Sequence, residues 1–380
     1  MPGLWSKIKY LARSGAYGGA WYISPFVCSA SQTCLANTWE SLALLQSTVD
    51  FTAQGRQFGH LYIPYSYNLA GWANLMVPIG VIQNGSGPTT LVLAGNHGDE
   101  YPGQVAVMRL MRQIDPTQVR GRLILIPALS MPASKAATRL SPLDGKNFNR
   151  CFPGNPGGTP SEALAHHLTT VLFPMADHVI DIHTGGRGVD FYPCAHMHLV
   201  APGPQRAGML AATEAWNSDF CFLYADIAGT GLLPVEAENQ GKIVVTTEMG
   251  GSENVTAQVH ALTQSGLTNV LKHLGVLAGR ADTRESLGLP PTRWVQALDW
   301  EDYQFAPESG IYENRVPLGS VVASGEVVGA VHFVERPDRP EVPVKAKSSG
   351  VLIGCRAPSL VAQGDCVACV AHEVDPRRLA

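Results

Sequence analysis

Leu91-Val92-Leu93-Ala94-Gly95-Asn96-His97-Gly98-Asp99-Glu100 decides how this chain is read. An apolar run of strand length ends in a polar loop that carries an imidazole and two carboxylates. The form recurs twice. Val179-Ile180-Asp181-Ile182 leads into His183-Thr184-Gly185-Gly186, and Lys242-Ile243-Val244-Val245-Thr246-Thr247 leads into Glu248-Met249-Gly250-Gly251. In an open α/β sheet, ligands bind in the crevice outside the carboxyl ends of the strands. If the three runs are neighbouring parallel strands, His97, Glu100, His183 and Glu248 converge on one spot. Two imidazoles, one carboxylate and an open position are the donor set of a catalytic zinc. A second, non-ligating carboxylate is then free for acid–base work.

Outward from these runs, residues 58–82 read as β-structure with loops, and Asn84-Gly85-Ser86-Gly87-Pro88 as a turn cluster. Gln104 to Ile114 has helical spacing and stops before Pro116, and Arg122 to Ala128 is short enough for a core strand. This alternation predicts an α/β fold with a mainly parallel or mixed sheet and helices on both faces. Residues 130–158 read as a long, polar, structureless connection, a kind that is usually functional. A helix is predicted over Ser161 to Phe173 with Ser161 as its N-cap, a strand over 177–183 and a helix over Gln205 to Trp216. A strand over 242–248 and a long amphipathic helix from Thr256 to Leu277 follow. After Leu289-Pro290-Pro291, short valine-rich runs alternate with glycine turns and predict a small C-terminal all-β domain. Its pattern resembles the flattened barrel of biotinyl and lipoyl carrier domains. Lys345 and Lys347 lack the neighbours of a carrier hairpin, so the domain is read as structural or as a wall of the active site. The expected organisation is a poorly structured extension (1–47), a catalytic domain (48–290), a small β-barrel-like domain (291–372) and a tail (373–380).

At 380 residues, with 45% hydrophobic and 15% charged residues, the composition is globular. A formal net charge of -4 argues against nucleic-acid binding, which needs a basic patch. No apolar run reaches the length of a membrane span. Eight cysteines are too sparse for a small disulfide scaffold. Cys366-Val367-Ala368-Cys369 is a lone pair in a strand-like run and reads as ordinary reduced cysteine. Residues 1–47 mix Trp, Cys, Ser and Gly without periodicity, and are too interrupted for a signal peptide. They read as a poorly ordered extension, or as the product of a start codon upstream of the true one. A cytoplasmic location is expected.

His97 and Glu100 are spaced to share one face of a turn entering a helix, so one metal can be held by both. His183 supplies the third ligand from a distant strand. Asp181, two residues before it, faces the same side and is suited to orient an imidazole. An HxxE pair alone is weak, because a histidine at a strand end is more often simply a satisfied core or surface residue. The company of three strand-end motifs raises its weight. Cys194, His196 and His198 could form a second cluster, with the two histidines on one side of a strand. The first site already has a full ligand set, so these read as packing or pocket-lining residues. His166 and His167 read as helix surface.

Taken together, Gly95 to Glu100, Asn147-Phe148-Asn149-Arg150-Cys151-Phe152-Pro153-Gly154, Asp181 to Gly186 and Thr247 to Gly250 resemble the succinylglutamate desuccinylase/aspartoacylase family. This is a branch of the zinc carboxypeptidase fold, and the resemblance covers roughly residues 48–372. It implies one zinc per chain on His97, Glu100 and His183, and Glu248 as the base that activates water and then protonates the leaving amine. It implies Asn149 and Arg150 as the grip on the substrate α-carboxylate, which the planar fork of arginine suits. Arg139 matches an arginine that steadies the oxyanion, although the stretch from Arg139 to Arg150 is longer than in aspartoacylases. Gly95 to Tyr101 and Ser141-Pro142-Leu143-Asp144-Gly145 look most like the bacterial members that deacetylate Nα-acetyl-2,4-diaminobutyrate in ectoine breakdown. The expectation is a zinc amidohydrolase that takes an acetyl- or succinyl-type group from a small amino acid. Its partner is a small N-acyl amino acid substrate, with no nucleic acid and no membrane, and a homo-oligomer stays open. The alternatives are a zinc carboxypeptidase acting on peptides and a catalytically dead metal-binding homologue.

Overall fold

The structure, a computed structural model, describes residues 45–225 and 229–378. Most of the expected extension lies outside these residues. Its last part, β1 (Gln46–Ser47), pairs antiparallel with Tyr62 and Leu61, so pairing begins before residue 48. β2 (Gly55–Tyr67) and β3 (Ala70–Asn84) form one long antiparallel hairpin. β4 (Thr89–Ala94) follows and is buried along its whole length. A strand covered on both faces reads as a continuous apolar run rather than an alternating one. α1 (Tyr101–Gln113) starts directly after the HxxE loop, with Pro102 in its first turn, where the missing N–H costs nothing. β5 (Gly121–Ile126) completes the first parallel unit.

The connection expected to be structureless over 130–158 contains α2 (Met131–Ala136) and a single 3-10 turn at Phe148–Arg150. α3 (Pro160–His167) is capped by Thr159, not Ser161. The Thr159 side chain and Glu162 form a reciprocal capping box, and Ser161 instead binds Asp144. The predicted single helix to Phe173 breaks at a π-helical turn, Leu168–Leu172, before the short α4 (Phe173–Met175). His167, expected on the surface, is 8% exposed.

The remaining core elements are β6 (His178–His183), β7 (Val189–Phe191), β8 (Cys194–Met197), α5 (Pro204–Glu214), β9 (Phe220–Tyr224), α6 (Leu233–Asn239), β10 (Ile243–Glu248) and α7 (Ala257–His273). α7 stops four residues short of the predicted Leu277. Gly275 adopts φ +74°, and Leu277 forms an isolated bridge to Val119. The C-terminal strands are β11 (Arg293–Ala297), β12 (Tyr303–Phe305), β13 (Gly310–Asn314), β14 (Val321–Val322), β15 (Val327–His332), β16 (Val342–Lys345), β17 (Gly350–Arg356), β18 (Leu360–Val361) and β19 (Cys366–Val374).

The main sheet runs β1-β2-β3-β5-β4-β6-β10-β8-β9-β11-β19-β17-β14. β5, β4, β6 and β10 are mutually parallel neighbours, β8 is antiparallel to β10, β8, β9 and β11 are parallel to one another, and β3 and β19 join antiparallel on the two flanks. This is the mixed α/β sheet expected. Successive residues of β4 and β6 divide between two cores. Leu91, Leu93 and Val179 pack with α3 and α6, whereas Val92, Ala94, Ile180 and Ile182 pack with α1 and α7. Helices therefore cover both faces. β13, β15, β16 and β18 form a separate small antiparallel sheet, the all-β element read from the valine-rich repeats. β11 lies after Pro290-Pro291 yet pairs parallel with β9 of the main sheet, and β19 extends past residue 372. β17 pairs with β7, which draws the C-terminal strands beside the carboxyl ends of β6 and β10. Cys366 and Cys369 are both free.

Two glycines hold the HxxE loop. Gly95 turns the chain out of β4 at φ +65°, a conformation open to glycine at little cost. Gly98 lies against α2, where an added Cβ would stand 2.0 Å from the Ala133 carbonyl carbon. Gly98→Ala is therefore expected to cost about 1–3 kcal/mol through overpacking against backbone. Thermal denaturation reads this, and an unchanged melting temperature would contradict the packing described.

Candidate metal centre

Glu100 occupies the N-cap position of α1 but does not cap it. Its carboxylate turns inward. Oε1 lies 2.7 Å from His97 Nδ1, Oε2 lies 2.9 Å from His183 Nδ1, and Oε2 accepts the Thr184 N–H at 3.1 Å. All three side chains are nearly inaccessible, at 3% for His97, 1% for Glu100 and 6% for His183. Burial alone would raise the Glu100 pKa, but the two imidazoles override it and hold the carboxyl well below its ordinary range.

The far side of each ring reveals its proton. His183 Nε2 stands 2.8 Å from Asp181 Oδ2, an acceptor, so Nε2 is the donor. His97 Nε2 stands 3.1 Å from Asn147 Oδ1, and that oxygen also takes the Asn149 N–H at 3.0 Å, which identifies it as the acceptor. Both rings thus carry a proton on Nε2 and turn Nδ1 toward Glu100. Two lone pairs facing a carboxylate repel one another unless a cation or shared protons lie between them. One ligand atom from each of His97, Glu100 and His183 lies within 4.8 Å of the other two. Among the described residues, this is the one such group of three His, Cys, Asp or Glu side chains. The donor chemistry fits a borderline metal such as zinc, with outer partners of the kind that usually fix ligating histidines.

Asp181 takes the orienting position expected of it and is itself held by Asn96 Nδ2 at 3.1 Å. Asn96, Asn147 and Thr184 were missed by sequence reasoning. Their roles are hydrogen bonds set by loop geometry, and the visible signal was only their adjacency to the ligating residues.

The other expected residues line the same cavity, of about 340 Å³. His97, Glu100, Arg139, Asn149, Arg150, His183 and Glu248 all face it. Arg139 is brought there because the Thr138 carbonyl accepts the Gly98 N–H at 3.0 Å, tying its loop to the HxxE loop. Its Nη1 lies 3.3 Å from His97 Nδ1 and 3.5 Å from Glu100 Oε1. Asn149 uses Oδ1 to accept the Leu233 N–H at the start of α6 (2.9 Å), which leaves its amide N–H groups as donors. Arg150 Nη1 is tethered to the Asn149 carbonyl at 2.8 Å.

Glu248 ends β10 in register with His183 on one side and Cys194 on the other. Its Oε2 is buried and meets no hydrogen-bond partner among the described residues. Burial, then the negative charge of Glu100, pushes its pKa up from the ordinary carboxylate value. An acid–base group poised above the usual carboxylate range is suited to take and return a proton near neutral pH. Of the second histidine pair, only His196 lines the cavity. His198 pairs with Glu238 at 3.0 Å, and Cys194 is sealed in the C-terminal core.

Residues 86–274 match the succinylglutamate desuccinylase/aspartoacylase catalytic domain family. The N-alpha-acetyl-L-2,4-diaminobutyric acid deacetylase of Halomonas elongata is 36% identical over 331 residues, spanning 87% of this chain and 96% of that protein. The product-bound structure of the ectoine utilization protein EutE from Ruegeria pomeroyi is 36% identical with a TM-score of 0.82, covering 86% of this chain and 98% of that one. A succinylglutamate desuccinylase/aspartoacylase from Rhodobacter sphaeroides is 38% identical with a TM-score of 0.83, covering 87% and 99%. Among the described residues, no helix is long and apolar enough to cross a membrane.

Removing the charge behind His183 tests the centre. Asp181→Asn is expected to weaken zinc affinity by about 10–100-fold without unfolding the chain. Chelator competition reads the affinity, and unchanged affinity would remove Asp181 from this role.

Proposed function

The chain belongs to the succinylglutamate desuccinylase/aspartoacylase family, and we propose that it is a zinc-dependent member that deacetylates Nα-acetyl-2,4-diaminobutyrate. Its class is that of the family, amidohydrolases acting on small N-acyl amino acids. The observation that carries the finer reading is the convergence of the donor triad, Glu248, Arg139, Asn149 and Arg150 in one small cavity. Similarity to the Halomonas elongata deacetylase along nearly the whole of that protein supports the choice of substrate. The cavity is of small-ligand size, and β7 with β17 walls its side, an arrangement that favours a single amino acid over a peptide chain.

Zinc held by His97, Glu100 and His183 would polarise the acyl carbonyl and lower the pKa of water enough for attack near neutral pH. Glu248 takes the proton of the attacking water on its unpartnered carboxylate. It then delivers that proton to the nitrogen of the departing amine, so the amine leaves neutral together with acetic acid, which becomes acetate by losing its remaining proton to the solvent. Arg139, beside His97 and Glu100, donates to the oxygen on which negative charge develops. The Asn149 amide and the Arg150 guanidinium bind the α-carboxylate and set the distance between it and the scissile carbonyl. Asp181 and Asn147 hold the two imidazoles in the required tautomer. The reading carries with it a cytoplasmic setting.

Glu248→Gln keeps the shape of the side chain but cannot accept a proton. It is expected to lower kcat by about 10²–10⁴-fold while metal content stays unchanged. The assay compares N-acetyl-2,4-diaminobutyrate, N-succinyl amino acids and tripeptides, with metal measured on the same samples. Near-wild-type turnover by the variant would overturn the mechanism, and efficient cleavage of tripeptides would overturn the substrate class.

A further inference from the structure

His196 lies in one lateral row of the sheet with Asp181 and Thr246, set back from the row of His183 and Glu248. It is 3% exposed and lines the metal cavity. Its hydrogen bonds identify its tautomer. The Thr246 hydroxyl is 2.8 Å from the His196 carbonyl oxygen, which can only accept, so the single hydroxyl proton points there. The same Thr246 oxygen is 2.8 Å from His196 Nδ1 and has only a lone pair left to offer. Nδ1 must therefore carry the ring proton. Burial keeps the ring neutral by holding its pKa well below the ordinary histidine value. Nε2 is then a bare acceptor, and it is buried without a partner among the described residues.

The surroundings narrow what this acceptor meets. For a substrate held by its α-carboxylate at Asn149 and Arg150, with its acyl carbonyl beside the metal ligands, Leu232 and Pro234 line part of the space left for its side chain, and a further wall backs onto a deeper space. That wall is Val189, Phe191, His196 and Tyr224. Behind it opens an annex of about 200 Å³, reached past Glu248 and lined by groups such as Phe222, Tyr303 and Ala368. A side-chain amine pushed into this apolar annex would lose its hydration without replacement. At the entrance it meets His196 Nε2, since Glu248 is committed to the reaction.

We propose that His196 is a specificity-determining residue, accepting a hydrogen bond through Nε2 from a terminal amine on the substrate side chain. The preferred substrates are then N-acyl diamino acids rather than N-acyl amino acids with plain alkyl side chains. Thr246 is the positioning residue, because it holds the ring in the accepting tautomer. The inference rests on the deacetylase reading and deepens it.

The test compares kcat/KM for N-acetyl-2,4-diaminobutyrate and N-acetyl-2-aminobutyrate, which differ only in the terminal amine. It uses the full chain loaded with zinc, as wild type, His196→Phe, His196→Gln and Asp99→Asn. Asp99 is included because its Oδ1 also lies buried beside the same cavity without a partner among the described residues. The wild type is expected to prefer the amine-bearing substrate at least ten-fold, mainly through KM, His196→Phe to bring the ratio near one, and His196→Gln, whose side-chain oxygen still accepts, to keep part of the preference. Calorimetry with 2,4-diaminobutyrate and 2-aminobutyrate on the wild type is expected to show the same preference in binding, which keeps the test decisive if a variant fails to fold. A wild type that turns over both substrates equally, or a ratio that survives in His196→Phe, overturns the assignment. So does a preference lost only in Asp99→Asn, or equal binding of the two amino acids. Turnover of neither substrate by the wild type overturns the deacetylase reading itself, a result distinct from equal turnover of both.

Discussion

A carboxylate buried between two imidazoles is the constraint around which this molecule is arranged. Withdrawing Glu100 from water is costly unless every lone pair is answered. His97, His183 and the Thr184 N–H answer it. Asn147 and Asp181 hold the imidazoles from behind, so each ring turns its basic nitrogen toward the carboxylate rather than away. The result is a compact set of electron-pair donors that needs shared protons or a cation between its members. A divalent cation would meet that need, and so the hydrogen bonds, rather than the presence of histidines alone, make this a candidate metal centre.

The sheet supplies the second constraint. Parallel strands that start in register also end in register, so the residues that follow them become neighbours irrespective of their separation along the chain. His183 and Glu248 are directly paired in this way. Because β8 runs antiparallel beside β10, it presents Cys194 and His196 from its opposite end. His183, Glu248 and His196 thus share one stretch of sheet. β7 and β17 close its flank, giving a small chamber with an apolar annex. Acyl-amino-acid chemistry suits that shape, because recognition of a small substrate must come from a few polar groups on a mostly enclosed surface.

Much of the architecture was legible. The apolar runs of β4, β6 and β10 are continuous because both faces are buried, and each is followed by its functional residues. The errors cluster where a local pattern competes with a tertiary contact. Ser161 has the chemistry of an N-cap, but Thr159 with Glu162 forms the stronger reciprocal box and leaves Ser161 to Asp144. The long connection contains α2, whose short length gives no periodic signal, although α2 is the surface on which Gly98 rests. α7 was overextended because residues 274–277 are still apolar; they leave the helix to bridge Val119. His167 passes for a surface residue by type and is buried by packing.

By itself, the sequence determined the donor types and the places along the chain where they follow strands. Apolar runs, glycine turns and strand-end side chains are local properties that need no knowledge of distant neighbours. Only the tertiary structure decided which nitrogen of each imidazole faces Glu100, that Asn147 rather than another loop group holds His97, and that His196 shares the cavity while His198 does not. These depend on strand register and on hydrogen bonds between segments far apart in the chain. A contact of this kind is settled when the sheet closes, and nothing in the residues on either side of it announces the partner in advance.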